Sequence, residues 1–242
     1  MIFKSVKHIV ISNTHTHTYT KMYSVYSNEQ KELPTLQELE SSGKMWIMSC
    51  DIGKRNFAYT IIEVSPTDMQ AIKEDDEDVV RKVYSNVKII SMDLKDFVGA
   101  PNVSVTQDIF NNITTYLESR TPLFDLCTAF VLEKQLKKNP EAQRIEQHVY
   151  SYLVIRYKLT KEIIPLLARL KYTETGLPRT IRKKYYRKKW AWERCKEIIT
   201  EIGDSAALEY IFHTHRSKKD DISDTLLQVH AFCRRVFIRK IL

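Results

Sequence analysis

Two apolar runs that each close on an acid constrain this 242-residue chain more than any other feature. Residues 45–50 (MWIMSC) run into Asp51, and residues 127–133 (CTAFVLE) end on Glu133. A short run that is apolar at consecutive positions reads as a strand buried on both faces. Such a strand sits inside a sheet that has helices packed above and below it. If the two strands are parallel neighbours, their terminal acids emerge at one sheet edge.

The remaining periodicity supplies the partners. Residues 56–64 (NFAYTIIEV) alternate, and the short gap before them predicts an antiparallel hairpin with the first strand. Residues 82–84 and 87–94 (VKIISMDL) predict the third strand, with the acidic run Glu74, Asp75, Asp76, Glu77 and Asp78 as a solvated hairpin tip. Ile109, Ile113, Tyr116 and Leu117 stand at helical spacing within 105–118. Residues 141–157 are helical, with Pro140 at the start and Ile145, His148, Val149 and Tyr152 on one stripe. Residues 162–167 (EIIPLL) form a short fifth strand, for which Pro165 predicts an edge position or an early end. A basic amphipathic helix spans 184–202 and closes at Gly203, and a last helix spans 221–235. The order β-β-β-α-β-α-β-α-α predicts an α/β fold with one mixed five-stranded sheet and helices on both faces.

Composition removes whole classes of function. Only five glycines are present, and none stands close to another. Dinucleotide and P-loop turns need clustered glycines so that backbone can approach phosphate, so no nucleotide cofactor is expected. An actin-like ATPase, which also opens with a strand and a D-I-G turn, fails for the same reason. No apolar run reaches the roughly 20 residues of a membrane helix, so no membrane partner is expected. Cys50, Cys127, Cys195 and Cys233 are too dispersed for a zinc site and read as reduced thiols of an intracellular protein. Residues 1–44 are rich in Ser, Thr, His and Tyr, with Glu29 as their first acid. They read as a low-complexity extension, with His15, Thr16 and His17 part of that bias rather than a metal site. The absence of early acids fits an organelle presequence, and the absence of arginine speaks against one. The folded unit is placed at 45–242.

The net charge of +8 is concentrated. Nine basic residues and one acid lie between Arg179 and Lys196, so this segment alone carries the net charge of the chain. Tyr185, Tyr186, Trp190 and Trp192 are interleaved with it. Cations neutralise phosphates and flat rings stack on bases, so the segment reads as a nucleic-acid surface. The competing reading is a solvated helix face.

Asp221 and Asp224 lie three residues apart at the start of the last helix and share a face. Packed at the strand edge, they would join Asp51 and Glu133. Four converging carboxylates repel unless cations balance them, and hard oxygen donors suit Mg2+ or Mn2+. Taken singly, each acid has a plainer role: Asp221 as a helix N-cap, Glu133 as a salt-bridge partner of Lys134 or Lys137.

The stretches MSCDIGKRNF, VLEKQLKKNPEAQRIEQ and SKKDDISDTLLQ resemble the three motifs of the RuvC-like Holliday junction resolvases. The pattern is most similar to the poxvirus and giant-virus resolvases and next to the fungal mitochondrial ones. The resemblance spans about residues 45–236. It implies the RNase H-like fold and a homodimer that cuts two opposed strands of branched, four-way junction DNA. By motif match, Asp51, Glu133, Asp221 and Asp224 become the catalytic metal ligands, for two Mg2+ ions with Mn2+ as a substitute. Asp220 falls outside the D-x-x-D register. The DNA-binding set is Lys137, Lys138, Arg182, Lys183, Lys184, Arg187, Lys188, Lys189, Lys218 and Lys219. The alternatives are another RNase H-like nuclease, acting on RNA–DNA hybrids or as a transposase, and a non-catalytic nucleic-acid-binding module. The stripe Ile145, Val149, Tyr152 is the candidate dimer patch, against the plainer reading that it packs on the sheet. The compartment is expected to be host cytoplasm or a virus factory for a viral protein, mitochondrion or nucleus for a cellular one.

Overall fold

The computed structural model describes residues 33–99, 103–158 and 160–241. Five strands form one sheet in the order β3-β2-β1-β4-β5. They are β1 Met45–Asp51, β2 Phe57–Val64, β3 Val87–Lys95, β4 Cys127–Lys134 and β5 Glu162–Leu167. β1, β2 and β3 pair antiparallel, whereas β4 runs parallel to β1 and β5 parallel to β4. The expected mixed sheet is therefore present, with β5 at an edge as Pro165 requires.

The helices are α1 Leu36–Ser41, α2 Pro66–Ala71, α3 Val79–Ser85, α4 Gln107–Ser119, α5 Thr121–Phe124 and α6 Pro140–Tyr157, followed by α7 Leu170–Thr173, α8 Lys184–Ile202, α9 Ser205–Glu209 and α10 Lys219–Cys233. A π-helical turn, Arg234–Ile238, follows α10 directly. The period of two in β1 and β4 separates two apolar layers. Trp46, Met48, Cys50, Phe130 and Leu132 face α4, α5 and α6. Ile47, Ala129 and Val131 face α8 and α10, through Ala191, Ile198, Ile222 and Leu226. Gly203 ends α8 at φ +76, a left-handed conformation that costs glycine least, and its N–H donates to Ile199 and Thr200. All four cysteines are buried and free.

Four expectations are corrected. Residues 82–84 are not strand but part of α3, because Val79 and Val83 lie one turn apart and both are buried. The acidic run is accordingly a link between α2 and α3 rather than a hairpin tip. The stripe on α6 is core, not a dimer patch: Ile145 is 1% exposed and Val149 is fully buried against the sheet. The last residues of the stretch set aside at the start of the chain form α1, where Thr35 and Glu38 make a reciprocal capping box and Leu39 is buried. Residues 1–32, with His15, Thr16 and His17, lie outside the described residues.

Candidate metal centre

Strand periodicity decides which layer the strand-end acids enter. Asp51 is in phase with Ile47, and Glu133 with Ala129 and Val131, so both belong to the α10 face. β1 and β4 run parallel with Cys50 opposite Leu132, which brings the next residue of each strand to the same edge. α10 is seated over that edge by polar contacts inside the core. Thr225 Oγ1 lies 2.6 Å from Thr60 Oγ1 on β2. Gln228 Nε2 donates to the carbonyls of Val131, at 3.1 Å, and Cys50, at 3.4 Å. Asp224, one turn before Gln228, is thereby delivered to the strand ends. Carboxylate oxygens of Asp51, Glu133 and Asp224 lie within 4.8 Å of one another.

The sequence reading missed the cation at this centre. Lys171 Nζ donates to Glu133 Oε2 and to Asp224 Oδ2, each at 2.6 Å, and its side chain is 4% exposed. A signal for it existed. β5 is parallel to β4, so the residues that follow β5 emerge at the same edge as Asp51 and Glu133. Lys171 lies four residues beyond β5, on the single turn α7. Glu133 thus pairs with Lys171 rather than with Lys134 or Lys137. Asp221 is not the N-cap of α10, a position held by Lys218.

Asp221 stands apart from the triad. Among the described residues its Oδ2 is buried without a hydrogen-bond partner, and so is Oδ1 of Asp224. Burial and the adjacent Asp220 push the Asp221 carboxyl up to about 6. Burial, reinforced by Glu133, raises Asp51 well above the ordinary carboxylate range, although Lys171 opposes this. Burial also raises Asp224, against the pull of Lys171. For Lys171, burial works against the charged amine, but Asp224, Glu133 and Asp51 outweigh it and hold the amine protonated. Several acids crowded with one lysine in a partly dry site resist ionising together, and a divalent cation would relieve that.

The basic residues divide into two groups. Lys137 and Lys138 are exposed in the link from β4 to α6, and Arg182, Lys183 and Lys184 are exposed at the start of α8. The others are engaged within the chain. Arg187 lies 5.9 Å from the Tyr172 ring, Lys188 pairs with Asp220, and Lys189 approaches Glu193 at 3.7 Å. Lys218 donates to Asn56 Oδ1 at 2.6 Å, and Lys219 Nζ lies 3.9 Å from the Trp192 ring. Through Arg187 and Lys188, the N-terminal half of α8 borders the acidic centre. Tyr185 and Tyr186 are exposed on the same half.

Sheet order, strand directions and the two helical layers define an RNase H-like α/β fold. Among solved structures, that fold is found in the fowlpox virus resolvase, determined with its substrate Holliday junction DNA. It is 20% identical to this chain, with coverage of 79% of this chain and 99% of that one and a TM-score of 0.53. The yeast mitochondrial Holliday junction resolvase is 16% identical, with coverage of 78% of each chain and a TM-score of 0.48. Uncharacterized protein 170L of Invertebrate iridescent virus 6 is 28% identical, over 78% of this chain and 88% of that protein. No family model matches the chain. Among the described residues, no helix is long and apolar enough to cross a membrane.

Proposed function

We propose that this chain is a metal-dependent, structure-selective endonuclease that resolves four-way DNA junctions, acting as a homodimer through residues 45–242. The observation that carries the reading is the convergence of Asp51, Glu133 and Asp224 at one sheet edge. It occurs on a fold shared with a resolvase solved on junction DNA.

The donor set fits hard divalent cations. It consists of carboxylates, and Asp221 and Asp224 each keep a buried oxygen without a partner among the described residues. Asp51, Glu133 and Asp224, with Asp221, would hold Mg2+, with Mn2+ as a substitute. A bound pair of such ions would supply activation of a water and stabilisation of the leaving oxygen of a phosphodiester. The chain's own groups do the rest. Lys171, donating to both, holds Glu133 and Asp224 facing each other. The exposed Lys137, Lys138, Arg182, Lys183 and Lys184 neutralise phosphates, and Tyr185 and Tyr186 offer faces for unpaired bases. Two opposed strands must be cut and one chain supplies one centre, which is the case for a two-fold dimer. With Ile145 and Val149 buried, the apolar surface left on α6 is the outer face that carries Val154 and Ile155.

The deciding experiment offers a synthetic four-way junction, a linear duplex and an RNA–DNA hybrid to the purified chain, with and without Mg2+. Paired nicks in opposed strands of the junction, only with Mg2+, are expected. Cleavage of the hybrid with the junction left intact would reassign the chain to the ribonuclease alternative. Tight junction binding with no cleavage would make it a binding module.

Binding has its own expected result. Replacing Arg182, Lys183 and Lys184 with Ala should weaken junction affinity and flatten its salt dependence. The slope of log K against log salt should fall by about 0.9 for each phosphate that is no longer neutralised. An unchanged slope would return this end of α8 to a solvated face.

A further inference from the structure

α7 is a single turn of four residues, too short to hold its own shape in water, yet it carries Lys171 to the acids. What fixes it lies on its far side. Glu174, the residue that caps α7, is 4% exposed and plays no part in the acidic centre. Its Oε1 accepts from Arg235 Nη1 at 3.2 Å and from Arg239 Nη1 at 3.1 Å. Its backbone carbonyl accepts from Arg234 Nη1 at 2.9 Å. All three arginines belong to the π-helical turn and its end, beyond α10. On the other flank, the Thr175 hydroxyl donates back to the Lys171 carbonyl, and Tyr84 Oη donates to the Thr175 carbonyl at 3.4 Å.

The acidic run completes the frame. Glu74 Oε1 accepts from Arg234 Nη2 at 3.0 Å and lies 3.1 Å from Arg239 Nε. Arg239 therefore bridges Glu74 and Glu174. A continuous chain of ion pairs runs from the link between α2 and α3, through the arginines and Glu174, to the turn that presents Lys171. A buried ion pair gives little net stability over an apolar pair of the same volume. Its distinctive property is fixed geometry, since a planar guanidinium holds a carboxylate in a set orientation.

We propose that Glu174 is the positioning residue for Lys171, and that the Glu74 loop and the Arg234–Arg239 segment act on the acidic centre through it. The activity readout of this proposal rests on the nuclease reading; its chemical readout does not. The full chain and its Glu174→Gln variant are treated with a water-soluble amine acylating reagent, and the labelling rate of each lysine is read by mass spectrometry. Lys161 is the internal control. It is partly buried at the opposite end of β4, where its amine donates to the carbonyls of Asp125 and Cys127.

Labelling of Lys171 should rise about tenfold in Glu174→Gln, as the turn opens locally, while that of Lys161 stays unchanged. In the junction assay kcat should fall roughly tenfold to a hundredfold at unchanged junction affinity, the scale expected of a misplaced group. In a Lys171→Met background the same substitution should cost nothing further, because its effect passes through Lys171. Arg239→Ala, on a half-exposed side chain, should move every readout the same way by a smaller factor, and it stands in if Glu174→Gln does not fold. An unchanged Lys171 labelling rate would overturn the proposal. Equal acceleration at Lys161 would overturn it too, since Glu174 would then serve the fold as a whole. A wild-type chain that leaves the junction uncut would remove the nuclease reading and leave the labelling rates to decide the positioning role.

Discussion

Asp51→Asn is expected to lower metal-dependent cleavage by a factor of at least about a thousand, near 4 kcal/mol of barrier, while raising the melting temperature of the metal-free protein. The two effects share one cause. Burial and Glu133 push the Asp51 carboxyl well above its usual range, so ionised Asp51 is a strained group in the folded chain. An amide of the same shape removes that strain along with a proposed metal ligand. Glu133→Gln and Asp224→Asn should abolish cleavage equally but without the stability gain, because each strips Lys171 of a partner at 2.6 Å. Junction affinity should survive all three changes, since it comes from Lys and Arg.

The pH dependence follows with a definite sign. Asp221 is pushed up to about 6, so between the ordinary Asp value and that point the folded state binds more protons than the unfolded one. Metal-free stability from this group therefore falls as pH rises from about 4 to about 6. Mg2+ should raise the melting temperature more at neutral pH than at about pH 5, where the ligands hold protons. Thermal melts in chelator and in Mg2+ across that range, beside single-turnover cleavage, check the whole set. An Asp51→Asn protein that cuts at near wild-type rate, or melts lower in chelator, would remove Asp51 from the centre.

The second large effect belongs to Lys171. Lys171→Met keeps the length of the stem and deletes the charge, leaving Glu133 and Asp224 face to face. Breaking a buried pair by removing one partner costs about 3–5 kcal/mol. For a domain of this size that corresponds to a drop of roughly 6–20 °C in melting temperature. The side chain is 4% exposed, so solvent screening gives little relief. Mg2+ should restore most of the loss, because a divalent ion supplies the missing positive charge between the same acids. A variant that melts like wild type in chelator would mean that Lys171 is not the counter-ion of the centre.

The parts of this molecule legible in its sequence are those with a period. Apolar runs gave β1 and β4, and their ends placed Asp51 and Glu133 at one sheet edge once the strands were taken as parallel neighbours. The i, i+3 spacing put Asp221 and Asp224 on one helix side. Two misreadings came from segments with two valid periods or two valid surfaces. Residues 79–84 satisfy a helix through Val79 and Val83, and the first half of that turn was hidden behind the acidic run. The α6 stripe is apolar for a sheet as much as for a partner, and periodicity cannot say which one covers it. Lys171 lacked any periodic mark. It sits on one isolated turn, and only the direction of β5 tells where it emerges. Glu174 and its arginines are farther still from legibility, because their pairing joins positions some sixty residues apart.

The seating of α10 through Thr225 and Gln228 bears on when this protein becomes able to act during its own synthesis. Strands leave the ribosome first and can pair with Asp51 and Glu133 already in place, but the chelating set lacks Asp224 until α10 follows and docks. Gln228 reaches the carbonyls of both central strands at once, so it cannot bind before β1 and β4 are correctly aligned. On the proposed nuclease reading, a nascent chain that has emitted residues 45–200 would be a sheet with an incomplete acidic centre. On that reading, docking of one late helix would both require the correct register of the sheet and complete the centre.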